Sequence, residues 1–223
     1  MNFDHAGLSA RAAARNGTLP DRLALRVHRA LSWLERAELC SEDDDDSRYI
    51  FLWISLNAAY AGEIQRDANE PERDALKQFL SRLTSLDRAN LLHELVWNKF
   101  SGPIRMLLDN KFVFQPFWDY QSGRMREREW RRRFEGAQRA AHAALGNSEK
   151  TDVVLDVLLQ RLYTLRNQLV HGGATWKGSV NRDQIRDGCA ILGDLTPRVI
   201  HLLIENPDED WGEPLYPVVG GCP

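Results

Sequence analysis

Three observations predict an all-α protein, an up-and-down helical bundle with additional helices and an irregular C-terminal tail. Nearly every organised segment repeats its apolar residues at the helical period. No pair of alternating segments joined by turn residues suggests a hairpin. A leucine-rich segment near residue 160 runs about five turns before ending on Gly-Gly.

The elements follow in order. Residues 1–20, "MNFDHAGLSARAAARNGTLP", are small, polar and lightly basic, and read as a flexible arm without the charged-then-apolar order of a signal peptide. From Asp21 to Cys40, Leu23, Val27, Ala30, Leu31 and Leu34 form one stripe flanked by Arg22, Arg26, Arg29 and Arg36. "SEDDDDS" is an acidic connector without the glycine and terminal glutamate of a calcium loop. "RYIFLWISLNAAYAG" is apolar on nearly all sides, as a central bundle helix is, with Asn57 its one odd member. Further helices are expected from Pro71 to about Ser85 and from Asp87 to Phe100, the latter broken by Gly102-Pro103.

An inserted segment, about 101–146, interrupts the expected single domain of residues 21–206. It opens with aromatic residues Phe112, Phe114, Phe117, Trp118 and Tyr120 around Pro116. It closes with a basic helix, residues 124–145, in which seven arginines stand against three glutamates. Pairs such as Glu127–Arg131 and Glu129–Arg133 suit a solvated face, whereas Arg128, Arg131 and Arg132 also suit contacts to phosphates. Long helices are expected over 152–171 and 182–205, with Pro197 kinking or dividing the second. Residues 207–223 read as an irregular tail.

At 43% hydrophobic residues, 223 residues can bury a sizeable core. A net charge of −3 neither demands nor excludes a polyanionic partner. No run reaches the length of a membrane span, and Cys40, Cys189 and Cys222 have no metal-ligand spacing, so a soluble, cytoplasmic chain with neither metal nor cofactor is expected.

The polar residues ending the leucine-rich helix carry the chemistry. At about 100° per residue, Leu155, Leu158, Leu159, Leu162, Leu165 and Leu169 share a face; Arg166 lies beside it, while Asn167 and His171 lie opposite. Cations collect in last helical turns because the helix dipole favours them, and Gly172 and Gly173 are ordinary caps. The same residues are sufficient in kind for phosphoryl chemistry: an arginine fork for a phosphate, an amide for a hydroxyl, an imidazole for proton transfer. Tyr163, one turn earlier, and Asn57 are further candidates for lining the site; each also has a structural role open to it, as a rim tyrosine and as a hydrogen-bond partner within a bundle. His93, His142 and His201 stand without partners at useful spacing and read as structural.

"RNQLVHGG" resembles the R-x(4–6)-H motif of the HEPN superfamily, with a polar residue after the arginine, and "YIFLWISLNAAYAG" is similar to the aromatic-rich early helix of that family. The resemblance covers roughly residues 48–66 and 151–205. It implies a helical bundle that forms a homodimer, with the paired motifs in a cleft that cleaves RNA without metal. Arg166 would then stabilise the phosphate, Asn167 position the substrate and His171 transfer the proton, leaving a 2′,3′-cyclic phosphate and a 5′-hydroxyl. A protein antitoxin or regulator is the further partner implied; Gly173 stands where toxins modified by a nucleotidyltransferase antitoxin carry tyrosine. The competing expectation is a non-catalytic HEPN-like module that binds RNA, nucleotide or a protein partner.

Overall fold

The computed structural model describes residues 2–15, 17–61 and 72–216, with the side chains of 72–75 excepted. Among these the fold is all-α. Ten α-helices are joined by a π-helical segment, Glu94–Lys99, and a 3₁₀ turn, Lys111–Val113, with no strand. No helix among the described residues is long and apolar enough to cross a membrane. The chain divides into two compact units, Met1–Asp87 with Leu192–Pro223, and Arg88–Ile191. The expected borders at 20, 101, 146 and 206 do not coincide with this division.

In the first unit, residues assigned to the arm form α1, His5–Ala14. The Asp4 carboxylate accepts from Gly7 N–H at 2.7 Å and caps the helix, and Leu8 is fully buried. α2, Asp21–Glu38, buries Leu23, Val27, Ala30, Leu31 and Leu34 as its periodicity requires. α3, Asp45–Tyr60, is capped by Asp44, which accepts from Ser47 N–H, and Asp45 and Asp46 occupy its first turn. The acidic connector is therefore largely a helix start, where the dipole favours negative charge. The Ser55 hydroxyl ties α3 to α2 by donating to the Ala30 carbonyl at 2.6 Å. α4, Glu72–Leu86, brings Phe79 against Tyr60 and Trp211.

The second unit opens with α5, Leu91–His93, which passes into the π-helical segment; Phe100 N–H closes a bond to the Leu95 carbonyl at 3.0 Å. Gly102-Pro103 starts a helix rather than ending one. α6, Ser101–Asp109, holds Pro103 in its first turn, where the missing N–H costs nothing. α7, Gln115–Gln121, holds Pro116 in its first turn in the same way. α8, Glu127–Leu145, and α9, Thr151–Val170, follow. The aromatic insertion is a small core of this unit: Phe117 stands edge-on to Phe112, Trp118 and Trp130, and Tyr120 stacks on Trp130. α10, Arg182–Glu205, runs continuously through Pro197 and contains the border between the units.

Candidate functional site

α9 is mostly buried up to its last turn, with Asp152, Val153, Val157 and Gln160 half-buried. The leucine stripe is buried as expected through Leu165, and so are Val154, Asp156, Arg161 and Thr164 on other sides. Burial ends abruptly. Arg166, Asn167, Gln168 and Leu169 are half-buried, and Tyr163, Val170 and His171 are exposed. The polar triplet thus lies at the end of α9, where no residue is fully buried.

The end of the helix is closed by backbone. Gly173 N–H donates to the Gln168 carbonyl at 2.7 Å, Gly172 N–H to the Leu169 carbonyl, and His171 N–H to the Asn167 carbonyl at 3.0 Å. Gly172 has φ of 71°, the left-handed conformation that this cap requires. A Cβ on Gly173 would stand 3.2 Å from the Gln168 carbonyl oxygen. Both glycines therefore have a local reason to be glycine.

The structure brings Arg166 and Asn167 together. The Arg166 Nη1 donates to Asn167 Oδ1 at 3.0 Å, and the guanidinium carbon lies 5.8 Å from the centre of the Tyr163 ring. His171 is the C-cap residue, with its ring on the surface. The triplet and Tyr163 form one polar end to one helix, an anion-tolerant surface carrying a group able to exchange protons.

Two other arginines show what structural use looks like in this chain. Arg26, 1% exposed, donates to the carbonyls of Ala59, Ala61, Trp211 and Gly212. Burial lowers its pKa to about 10, opposed by the charge of Glu213. Arg161, also buried, lies 4.3 Å from the centre of the Phe114 ring and donates to the Leu108 carbonyl. Its pKa too falls to about 10 through burial, with Asp109 opposing. Arg166 is neither sunk among carbonyls nor stacked at such close range.

Of the arginines on α8, Arg131 pairs with Glu127 at 2.7 Å, as their four-residue spacing suggests, and lies over Trp130. Glu129 holds Arg133 similarly. Arg128 and Arg132, one turn apart, are exposed and in no ion pair with a described residue. Asn57 is half-buried on α3, in the first unit, whereas the other candidates belong to the second.

Two features escaped the sequence. Gln168 is the brace of the helix end: its Nε2 donates to the Phe112 carbonyl and its Oε1 accepts from Asn181 Nδ2, each at 2.7 Å. His142 has a partner after all, Asp109 Oδ1 at 2.9 Å from its Nε2, with Gln138 donating to the same oxygen. No local spacing could reveal that contact, because Asp109 lies on a different helix. Among the described residues no group of three or more histidine, cysteine or acidic side chains is arranged to hold a metal ion. Comparison of the chain with protein-family models, curated proteins and solved structures finds no match.

Proposed function

We propose that the protein is a metal-independent endoribonuclease of the HEPN type, with its site at the carboxyl end of α9 and completed by a second copy of the chain. One observation carries the reading. The last turn of a helix whose leucine stripe is largely buried carries Arg166, in no ion pair with a described residue, and the exposed His171 follows it at the C-cap. The exposed Tyr163 and Val170 on the same helix leave apolar surface for a partner copy.

The chemistry follows from the side chains. The ribose 2′-hydroxyl attacks phosphorus and loses its proton to an imidazole, while the bond from phosphorus to the 5′-oxygen breaks and that oxygen takes a proton from an imidazolium. Two copies of the chain supply two His171 side chains, one for each transfer. The Arg166 fork binds the non-bridging oxygens as charge grows on them, and its bond to Asn167 fixes its direction. His171→Ala is expected to abolish cleavage of single-stranded RNA in EDTA-containing buffer while leaving the far-ultraviolet helical signal and the melting temperature intact. Undiminished cleavage by that variant refutes the assignment.

A second reading, a non-catalytic module that binds RNA, nucleotide or a protein partner, is favoured by the completeness of the local structure. Arg166 already has a hydrogen-bond acceptor, and the glycines are explained by the cap. Under that reading RNA, if bound, is held through Arg128 and Arg132 of α8. Replacing Arg128 or Arg132 by alanine then reduces the salt dependence of binding by about one unit of log–log slope each, with no cleavage in any variant.

A further inference from the structure

The loop between α9 and α10 displays a tryptophan close in sequence to His171. Trp176 is 67% exposed, a costly placement for a large apolar ring and unlike the buried aromatic residues of the insertion. The Lys177 ammonium lies 5.1 Å from the centre of its ring. The loop is braced rather than loose. Asn181 is tied to Gln168 at 2.7 Å, Gly178 N–H closes a turn on the Thr175 carbonyl at 2.8 Å, and Arg182 Nε donates to the Gly178 carbonyl at 3.0 Å. Lys177 and Asn181 both hold positive φ, at 54° and 56°. The backbone takes the left-handed conformation within the turn that carries the ring, at Lys177, and again after it, at Asn181.

From this we infer that Trp176 is a base-stacking residue, which makes the end of α9 selective for single-stranded RNA over duplex. The inference rests on the ribonuclease reading for its choice of ligand, and specifies which form of RNA the site takes. Stacking requires an accessible π-face on a fixed mount, and a cation beside it attracts the phosphate of the stacked nucleotide. Residues 171–181 contain no acidic side chain to repel that phosphate. A base inside a duplex keeps its stacking partners and presents only its edge in a groove, so a protruding indole gains nothing from paired RNA. Four residues separate His171 from Trp176, and the cap at Gly172 and Gly173 turns the chain between them. On this inference the ring holds a base neighbouring the scissile phosphate.

The test is a set of fluorescence-anisotropy titrations with labelled oligoadenylate, alone and annealed to oligouridylate, against the full chain carrying His171→Ala to suppress cleavage. Adding Trp176→Ala is expected to weaken single-strand binding roughly tenfold or more and to leave duplex binding and the melting temperature unchanged. Trp176→Phe, which keeps a π-face, should retain most of the affinity. Equal affinity for the single strand with and without the indole overturns the inference, as does absence of binding to either probe. A shift in sedimentation coefficient without a change in RNA binding also overturns it, marking Trp176 as a protein contact instead. Cleavage by the otherwise native chain is scored separately. Binding that depends on Trp176 without cleavage retains the inference and rejects the nuclease; cleavage indifferent to Trp176 does the reverse.

Discussion

Arg26, Arg161 and Arg166 share one chemistry and meet three surroundings. Arg26 spends four N–H groups on carbonyls at the end of α3 and in the segment after Asn206. Its sequence position gave a signal: it falls with Leu23, Val27 and Ala30 at helical spacing, on the stripe rather than beside it. Reading every arginine as a polar flank hides that placement. Arg161 escaped for a similar reason, since a leucine stripe on one face says nothing about what covers the opposite face. Arg166 was legible because its surroundings change with the end of the helix, which the glycines announce. Arg166→Lys keeps the charge and discards the fork, so kcat for RNA cleavage is expected to fall by at least about tenfold with little change in thermal stability; a variant as active as the parent removes bidentate phosphate binding from the mechanism. Gly172→Ala tests the cap alone. At φ of 71° a side chain costs about 1–2 kcal/mol, which calorimetry should register as a lowered melting temperature. An unchanged value denies the left-handed cap.

At the scale of elements, the C-terminal segment is held to α2 by a row of arginines. Arg22 pairs with Glu213 at 2.8 Å, Arg26 holds Trp211 and Gly212, and Arg29 donates to the carbonyls of Leu215 and Tyr216 at 2.7 Å each. Arg82 of α4 adds a bond to the Asp210 carbonyl. The expected irregular tail is irregular through Tyr216 yet anchored through its backbone, and residues 217–223 lie outside the described residues. Composition shows proline and glycine but not which carbonyls a distant helix will claim. Because Arg26 satisfies two segments at once, Arg26→Met strands four acceptors and is expected to cost roughly 3 kcal/mol. Hydrogen exchange should then quicken around 211–216 and at the end of α3 together; quickening confined to one of them means the arginine does not couple them. α1 was missed because its alanines and arginines form no wide apolar stripe, although Asp4 three residues before Gly7 was a readable cap.

At the scale of the molecule, the all-α class was readable because helical periodicity survives in every long segment, and α2, α9 and α10 begin and end close to where their stripes do. The division into two units was not readable, since its second border falls inside α10, where the sequence offers neither a linker nor a change of composition. Global stability carries its own pH signature. His201 is buried on α10 with its ring 5.3 Å from Phe3, and burial lowers its pKa; Glu205 and Asp87 oppose the shift, while Arg11 and Arg15 add to it. The unfolded chain takes up that proton near the ordinary value of about 6.5, before the folded chain does. Stability contributed by the neutral ring is therefore present above about pH 6.5 and lost as pH falls toward and through the lower folded value. Denaturant midpoints measured from about pH 8 to about pH 5 should decline, and His201→Gln should flatten the decline; an equal slope in the variant assigns the acid sensitivity elsewhere.

The central claim is that the end of α9 transfers protons and stabilises phosphate charge without metal, and the ends of the RNA fragments report on it directly. Mass spectrometry of fragments produced by the native chain in EDTA is expected to show 2′,3′-cyclic phosphate and 5′-hydroxyl termini. Fragments ending in 3′-hydroxyl and 5′-phosphate, or RNA recovered whole, would contradict the account.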